Sequence, residues 1–376
     1  PTSWPECQRR ASHLLLHGVP RTPHTTSSFA SGAGQANLAS KAQIFDIVIK
    51  GWQAAQASCS SVRLRNSTQK VCHLIKFLHS SDLHLGKPFG RFPEDVRVRL
   101  RQARAESLPT LAGLAREAGA SHILLAGDTF DQMTPSPTVI RQTMNAMRAA
   151  ENVIWVLMPG NHDHASATEL WRQVGRDAPT NVTVLLTPEP YALADGAVLL
   201  PAPPSERYPG RDLTDWFDRA ETGEALRVGL AHGSVTDFDS SEDGGSSIIA
   251  IDRARRAGLA YLGLGDWHGQ MQIGAETWYS GAPEADGFKH AAIPAALLVE
   301  IAGAGAPAKV TSLPTGTLTW QRVQLDLTEG DDVTEAHERG LPALSRRALT
   351  LFDLHVTGRA HALARGGFAV LKAPDA

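Results

Sequence analysis

Short apolar runs alternate with longer amphipathic segments over most of the chain. A strand that is covered on both faces reads as a continuous apolar run, so these runs are typical of buried strands. They predict strands at residues 74–78, 123–126, 153–158, 182–186, 197–200, 228–231, 261–264 and 296–301. Helical segments separate the first of these strands, and this alternation indicates a layered α/β domain.

Three of the intervening segments have helical character. Residues 94–118 place apolar side chains at helical spacing in their second half, and Gly119 follows as the expected stop. Two prolines introduce a second predicted helix over residues 135–150. A third helix is expected over residues 252–260, leading into the strand that follows it.

Both ends of the chain lack this alternation. Residues 1–73 are rich in small and polar residues without sustained periodicity, so we expect a disordered or non-native leader, with an organelle transit peptide as the alternative. We expect the main catalytic domain over residues 74–301, followed by a linker-like Ala/Gly stretch. Residues 308–376 are expected to form a smaller, partly β, capping-like accessory segment, whose completeness the pattern leaves open.

The composition fits a large folded domain in a reducing compartment. Apolar residues make up 42% of the chain, which is enough for a buried core. No apolar run approaches the roughly 18 residues that span a bilayer, so we expect no membrane association. The three cysteines, Cys7, Cys59 and Cys72, all precede the first predicted strand. We therefore expect no disulfide framework, and the cytoplasm is the predicted location.

Charge is unevenly distributed along the chain. The formal net charge is −3, yet residues 1–74 carry eight Lys or Arg against two Asp or Glu. The rest of the chain is therefore acidic, which argues against a broad basic face and gives no indication of nucleic acid by itself. Part of that acidic excess lies in the motifs described next, and bound divalent ions would offset it.

Polar motifs follow five of the predicted strands at the point where each strand ends. They are Asp82-Leu83-His84, Gly127-Asp128-Thr129-Phe130-Asp131, Gly160-Asn161-His162-Asp163, Ala231-His232-Gly233 and Gly265-Asp266-Trp267-His268. Sites in open α/β sheets are built at this edge. Carboxylates and neutral imidazoles bind hard or borderline divalent metals well. The five strand ends together predict a hydrolytic centre in which two ions about 3.5–4 Å apart activate a hydroxide.

Each motif alone has a simpler interpretation. Asp82 and His84 could be a cap and a loop residue, and Asp128 and Asp131 could be ordinary turn carboxylates. A lone histidine such as His232 is more often a hydrogen-bonded loop residue than a metal ligand. The joint pattern favours the metal centre, because independent turns would not all place ligand groups at strand ends.

Over about residues 76–288 the motifs resemble those of the calcineurin-like metallophosphoesterase superfamily. Residues 77–86, which read Phe-Leu-His-Ser-Ser-Asp-Leu-His-Leu-Gly, resemble the opening of the SbcD-type DNA repair exonucleases. Residues 127–136, 261–265 and 279–283 resemble the same branch. The resemblance implies a four-layer α/β/β/α sandwich and a metal-dependent phosphodiesterase activity.

The resemblance also implies a role for each polar side chain. The implied ligands of one ion are Asp82, His84, Asp128 and His268. The implied ligands of the second ion are Asp128 as the bridge, Asn161, His232 and Asp266. His162 would protonate the leaving oxygen or stabilise the transition state, and Asp163 would orient its ring. The implied ions are Mn²⁺, with Mg²⁺ as a common substitute.

One residue departs from the superfamily pattern. The family has Gly-His-x-His where this chain has Gly265-Asp266-Trp267-His268. The Asp266 carboxylate can still reach an ion, so we expect it to be a ligand that adds one negative charge to the second site. Because of this additional charge, the family pattern does not determine which metal is preferred or at which pH activity is highest. Trp267 is expected to pack in the core, with a platform for a base or leaving group as the alternative.

These features predict a cytoplasmic metal-dependent phosphodiesterase, with DNA as the expected substrate and exonuclease or endonuclease action in repair. The branch also implies an SbcC-like coiled-coil ATPase partner and a homodimer. A small phosphodiester, a nucleotide or a phosphoprotein is the alternative substrate, which the acidic balance favours. A non-catalytic binding subunit with the same fold is the alternative of another class, and intact His162 and Asp163 argue against it.

Overall fold

The structure is a computed structural model, and it describes residues 74–235, 248–288, 293–328 and 331–358. The predicted leader over residues 1–73, with its three cysteines, lies outside the described residues. In the part of the chain that the structure describes, every helix is too short or too polar to cross a bilayer.

The described residues form two large sheets, one small sheet and a set of helices. The strands are β1 Ile75–Ser80, β2 His122–Ala126, β3 Ile154–Met158, β4 Val182–Val184, β5 Tyr191–Ala194, β6 Ala197–Ala202, β7 Leu226–His232, β8 Tyr261–Gly265, β9 Met271–Gln272, β10 Thr277–Tyr279, β11 Ala295–Ile301, β12 Lys309–Pro314, β13 Thr319–Leu327 and β14 Thr350–Gly358. The helices are α1 Glu94–Ala118, α2 Pro137–Arg148, α3 Thr168–Asp177, α4 Arg253–Arg256, α5 Val333–Gly340 and α6 Leu344–Arg347, with a 3₁₀ helix at Asp215–Arg219.

The strand order brings the ends of the motif-bearing strands together. The first sheet runs β12-β11-β1-β2-β3-β4, and the second runs β5-β6-β7-β8-β10-β9. β1, β2 and β3 are parallel neighbours, as are β7 and β8. Parallel neighbours end at the same edge of a sheet, so the polar segments after these strands lie side by side.

The two large sheets share one apolar layer. Successive side chains of a strand point to opposite faces. Phe77 therefore joins the layer that also contains Val156 of the first sheet and Val228 of the second. Its neighbour Leu78 belongs to a different apolar cluster, together with Leu111 of α1.

Helices cover the outer face of each sheet. α1, α2 and α3 contribute Leu111, Met144 and Trp171 to the cluster against the first sheet. The 3₁₀ helix and α4 contribute Phe217 and Ala254 to the cluster against the second. The layers are thus helix, sheet, sheet, helix, and the predicted α/β/β/α sandwich is confirmed.

Local sequence explains where the helices begin and end. Gly119 adopts a left-handed φ of 67° after α1 and caps it, as expected from the sequence. Ser136 accepts a hydrogen bond from the Val139 amide at 3.3 Å, and Pro137 occupies the first turn of α2. The helix predicted over residues 252–260 is much shorter than expected, because Gly258 turns the chain at a φ of 62°.

The predicted boundary of the accessory segment falls inside a β-hairpin. β12 pairs antiparallel with β11 at the edge of the first sheet, so residues 309–314 extend this sheet. β13 and β14 form the separate parallel pair that follows. The division of the chain into domains otherwise stays a prediction.

Candidate metal centre

The predicted ligand side chains converge at the shared edge of the two sheets. Candidate ligand atoms of Asp82, His84 and His268 all lie within 4.8 Å of one another, and so do those of Asp82, Asp128 and His232. His232 is the last residue of β7, so its imidazole lies at a strand end, as expected. Because His232 lies in the strand, its side chain is directed toward the first sheet.

Four candidate ligands have an unusual backbone conformation. The φ angles of Asp82, His84, Asp128 and Asp266 are 56°, 42°, 53° and 98°. Phe89 is the only other non-glycine residue with positive φ in the described part of the chain. Such strain costs about 1–3 kcal/mol per residue and clusters at functional sites. The loops therefore hold these side chains in place at an energetic cost to the fold.

Two of the candidate histidines are oriented by a partner on Nδ1. Nδ1 of His232 donates to the carbonyl oxygen of Ala126 at 2.8 Å. Nδ1 of His268 lies 3.3 Å from Oδ1 of Asp286 and donates to it. In both rings Nε2 is left to face the centre as a ligand atom, which is the arrangement seen around bound metals.

His84 also has a carboxylate near its Nδ1, although the contact does not have hydrogen-bond geometry. Its Nδ1 lies 3.3 Å from Oδ1 of Asp131, while its Nε2 lies 3.2 Å from Nε2 of His268. Two imidazole nitrogens at this separation would both be ligands of one ion.

The Asp128 carboxylate lies between the two predicted ligand sets. Its Oδ2 is 3.6 Å from Nε2 of His84 and 3.6 Å from Nε2 of His232. One carboxylate oxygen equally distant from a histidine of each set has the position that a bridging ligand needs.

Asn161 and Asp266 lie together on the side of the second predicted ion. The Asn161 side-chain amide donates to Oδ1 of Asp266 at 3.1 Å, and that oxygen is 3.7 Å from Nε2 of His232. Oδ1 of Asn161 and Nε2 of His232 are buried without a hydrogen-bond partner among the described residues. Buried polar atoms are almost always paired, so these two atoms fit ligands of a metal ion.

The electrostatics of the centre also fit bound cations. Burial raises the pKa of Asp128 to about 7, and the charge of Asp82 adds to the effect. Burial opposes the charge on His232, but Asp128, Asp82 and Asp266 outweigh it and raise its pKa to about 9. The buried carboxylates thus favour the protonated forms of Asp128 and His232. Divalent ions can supply this positive charge in place of the protons.

His162 lies beside the ligand set and is held by backbone. Its amide donates to Oδ1 of Asp128 at 2.9 Å, and its Nδ1 donates to the carbonyl oxygen of Asp131 at 2.8 Å. Its ring packs edge-on against that of His84 with centroids 4.7 Å apart. Nε2 of His162 is therefore the ring atom left for a substrate.

The predicted role of Asp163 requires correction. Its two carboxylate oxygens accept from the amides of Gly160 and Phe130 at 2.7 and 3.0 Å. The Asp131 carbonyl oxygen, and not Asp163, orients the His162 ring. Asp163 instead ties the loop after β3 to the loop after β2, and its burial raises its pKa to about 7.

Glycines at three strand ends allow the close packing of the centre. A Cβ at Gly127 would collide with His232, one at Gly160 with Asp128, and one at Gly265 with the Ala126 carbonyl. These three glycines are therefore required by the space around the ligands.

A buried arginine supports the first ligand loop. Arg104 of α1 is 2% exposed. Its guanidinium donates to the carbonyl oxygens of Asp82 at 2.7 Å, Leu83 at 2.7 Å and Glu284 at 3.0 Å. It therefore fixes the strained segment after β1 to the loop that follows β10.

Sequence reasoning missed Arg104 and Asp286. Arg104 lies four residues after Leu100 and four before Leu108, on the apolar face of α1, and this position was a usable signal of burial. Asp286 precedes a glycine and reads as an ordinary turn residue, so no local signal distinguishes it. Trp267 packs, partly buried, against the apolar cluster on the outer face of the second sheet, as its packing interpretation expects.

One protein-family model matches part of the chain. Residues 75–255 match the family model described as Calcineurin-like phosphoesterase. This stretch contains the motifs that follow β1, β2, β3 and β7.

Three curated relatives extend the similarity. The chain is 23% identical to the uncharacterized metallophosphoesterase YhaO of Bacillus subtilis, over 69% of this chain and 65% of that protein. It is 25% identical to the SbcD component of the nuclease SbcCD of Bacillus subtilis, over 67% of this chain and 70% of that component. A shorter match, at 31% identity over 24% of this chain, is to 20% of the DNA double-strand break repair protein Mre11 of Archaeoglobus fulgidus. The chain thus spans slightly less than two thirds of YhaO and a fifth of Mre11.

Proposed function

We propose that this chain, which contains a calcineurin-like metallophosphoesterase domain, is a metal-dependent phosphodiesterase that cleaves DNA. The observation that carries the proposal is the convergence of carboxylates, imidazoles and an amide from five strand ends, with the Nε2 atoms of three histidines facing inward. In the proposal the centre acts in repair as an exonuclease or endonuclease.

The proposal assigns two divalent ions to this centre. The first would be held by Asp82, His84, Asp128 and His268. The second would be held by Asp128, Asn161, His232 and Asp266. When bound, the ions supply a water of lowered pKa and positive charge at the phosphate. Carboxylate oxygens suit Mn²⁺ and Mg²⁺, whereas imidazoles suit later transition metals, and Mn²⁺ is the proposed ion.

The protein residues would then donate the proton and position the substrate. His162 carries its Nδ1 proton toward the Asp131 carbonyl oxygen. When its ring is protonated, Nε2 can donate a proton to the departing oxygen of the phosphodiester, which is general acid catalysis. The backbone bond to Asp131 holds the ring so that this atom faces the centre.

The choice of DNA as substrate rests on the relatives. The SbcD component of SbcCD is named as part of a nuclease, and Mre11 is named as a DNA repair protein. The acidic balance of the chain favours the alternative, a small phosphodiester, a nucleotide or a phosphoprotein. Ser136, one of the residues that resemble the nuclease branch, caps α2 and so has a structural reason to be present.

The proposal extends to partners and location. By analogy with the SbcD component of SbcCD, we propose an SbcC-like coiled-coil ATPase partner, a nuclease homodimer and a cytoplasmic location. A non-catalytic binding subunit is the alternative of another class.

One assay separates these functions. Purified protein with Mn²⁺ would be offered linear duplex DNA, hairpin DNA, bis-p-nitrophenyl phosphate and a phosphopeptide, with an excess of EDTA as the control. The proposal predicts metal-dependent cleavage of DNA and of the chromogenic diester. Cleavage of the chromogenic diester or the phosphopeptide without cleavage of DNA would support the alternative substrates. Binding without hydrolysis of any substrate would support the non-catalytic subunit.

A further inference from the structure

Aromatic rings and cations form a continuous surface beside the metal centre. We call this surface the aromatic strip and define it by five residues: Phe92, Phe288, Trp320, Arg91 and Arg322. It combines the segment before α1, the loop after β10 and strand β13. Sequence patterns did not reveal it, because its members lie far apart along the chain.

The strip begins next to a candidate ligand. Oδ1 of Asp286 accepts from Nδ1 of His268 at 3.3 Å. Oδ2 of the same carboxylate lies 2.6 Å from Nζ of Lys87. Phe288 follows Asp286 by two residues in the same loop. Phe288 therefore lies two residues along the chain from a side chain that contacts a candidate ligand.

The rings are in mutual edge contact and carry cations over their faces. The Trp320 ring lies 4.9 Å from that of Phe288 and 5.7 Å from that of Phe92, between centroids. The guanidinium of Arg91 lies 4.9 Å from the Phe92 centroid, and that of Arg322 lies 5.7 Å from the Phe288 centroid. These distances are within the range of cation–π attraction.

The inner side of the strip is anchored and its outer side is open. Phe92 and Trp320 pack against a buried cluster that includes Leu100 and Leu318. All three rings are half-buried, and the side chain of Arg322 is 58% exposed. Packing alone explains the buried edges of the rings. Arg322 also pairs with Asp353 at 3.0 Å, and its guanidinium and that of Arg91 lie over ring faces.

Stacked bases and phosphates are the ligand that this combination suits. Unpaired bases stack on aromatic rings and on arginine planes, and the cations attract the phosphates between them. A duplex hides its base faces and could not use the rings. We propose that the aromatic strip binds an unpaired stretch of nucleic acid that extends from the phosphate at the metal centre. This inference rests on the proposed cleavage of DNA and adds the strand state and the path of the substrate.

The test compares substrates that do and do not reach the strip. The variants Phe288→Leu and Arg322→Gln would be assayed with Mn²⁺ on a 12-nucleotide oligothymidylate and on bis-p-nitrophenyl phosphate. Stacking on an aromatic side chain contributes enough to predict a rise in KM of about 5- to 100-fold for the oligonucleotide. KM and kcat for the small diester should stay within about twofold of wild type.

Arg172→Gln is the matched control. Arg172 is 61% exposed and pairs with Glu169, as Arg322 pairs with Asp353, but it lies on α3. This control should not change KM for either substrate. Thermal midpoints of all variants would be measured to show that each is folded at the assay temperature.

Each outcome has a distinct meaning. Wild-type protein that cleaves the small diester but no DNA would overturn the proposed substrate and the strip together. Wild-type protein that cleaves the oligonucleotide, with strip variants indistinguishable from Arg172→Gln, would overturn the strip alone. Equal losses on both substrates would show that these residues support the metal centre instead, and would also overturn the inference.

Discussion

The carbonyl oxygen of Asp131 lies 2.8 Å from Nδ1 of His162, while the carboxylate of Asp131 lies 3.3 Å from Nδ1 of His84. A carbonyl oxygen only accepts, so Nδ1 of His162 carries a proton and Nε2 faces the centre. One residue thus orients both a candidate ligand and the candidate general acid.

This arrangement predicts that His162 acts in chemistry and not in metal binding. His162→Ala should lower turnover by about 10²- to 10⁴-fold, the usual range for a general acid or base. Its metal content at saturating Mn²⁺ should match wild type. The neighbouring His164 bonds Ser166, so His164→Ala is the control and should keep near-normal turnover. Loss of bound metal in His162→Ala would instead make His162 a ligand.

Asp266 should contribute to the second ion. Asp266→Ala should lose one ion selectively, because His232 and Asn161 would retain only Asp128 as a shared carboxylate. Asp266→His should keep both ions and remain active with a changed preference between Mn²⁺ and Mg²⁺. Metal analysis at a fixed Mn²⁺ concentration distinguishes these variants. Two ions per chain in a fully active Asp266→Ala protein would exclude the ligand assignment.

Arg104 should support the first ion by holding the backbone of its ligand loop. Arg104→Met removes three hydrogen bonds to carbonyl oxygens that hold the Asp82 segment and the Glu284 loop. Loss of such supporting contacts typically weakens metal affinity about 10- to 100-fold. Arg101→Met, on the exposed side of the same helix, is the control. Calorimetric titration with Mn²⁺ would measure the change, and equal affinity in the two variants would argue against this role.

An ion pair far from the centre should make stability depend on pH. Asp212 accepts from Arg253 at 2.8 Å and from the Thr214 amide at 2.8 Å. Burial opposes its charge, but these partners lower its pKa below the usual value. Because the pKa of Asp212 is lower in the folded protein than in the unfolded protein, the ionised carboxylate stabilises the fold fully above the pKa of an unfolded Asp. This stabilisation is lost as pH falls through the folded value.

Asp212→Asn should therefore reduce the free energy of unfolding at pH 7 by about 1.5–3 kcal/mol, the range for hydrogen bonds to charged groups. The difference from wild type should shrink as the pH is lowered below about 4. Asp215→Asn is the control, since Asp215 is 62% exposed and lies 3.9 Å from its partner Arg219. Urea unfolding at several pH values would measure both. A difference from wild type that is constant with pH would refute the prediction.

The sequence predicts the layers of the fold because burial on both faces leaves an unmistakable apolar run. It does not predict that β12 pairs with β11, since an edge strand such as β12 has mixed polarity and its partner is chosen by the turn between them. The helix at 252–260 is overestimated because helical spacing continues past Gly258, where positive φ ends the helix.

The candidate ligands follow from sequence because strand ends and ligand chemistry coincide in it. The groups that orient these ligands do not follow from the sequence, because they contact the ligands from distant segments of the chain. Asp286 reaches His268 across a loop, and the Ala126 carbonyl oxygen reaches His232 between the two sheets. Asp163 shows the opposite error, because the family resemblance implied a contact with His162, whereas the carboxylate accepts from the backbone amides of Gly160 and Phe130.

The proposed chemistry depends above all on two ions that share the Asp128 carboxylate, so the number of bound ions is the decisive quantity. Wild-type protein and Asp128→Ala would be equilibrated with Mn²⁺, freed of unbound metal, and analysed for bound ions and for hydrolysis of bis-p-nitrophenyl phosphate. Wild type should hold two ions per chain and hydrolyse the diester, and Asp128→Ala should lose both properties. Two bound ions with normal turnover in Asp128→Ala would show that the shared-carboxylate centre is wrong.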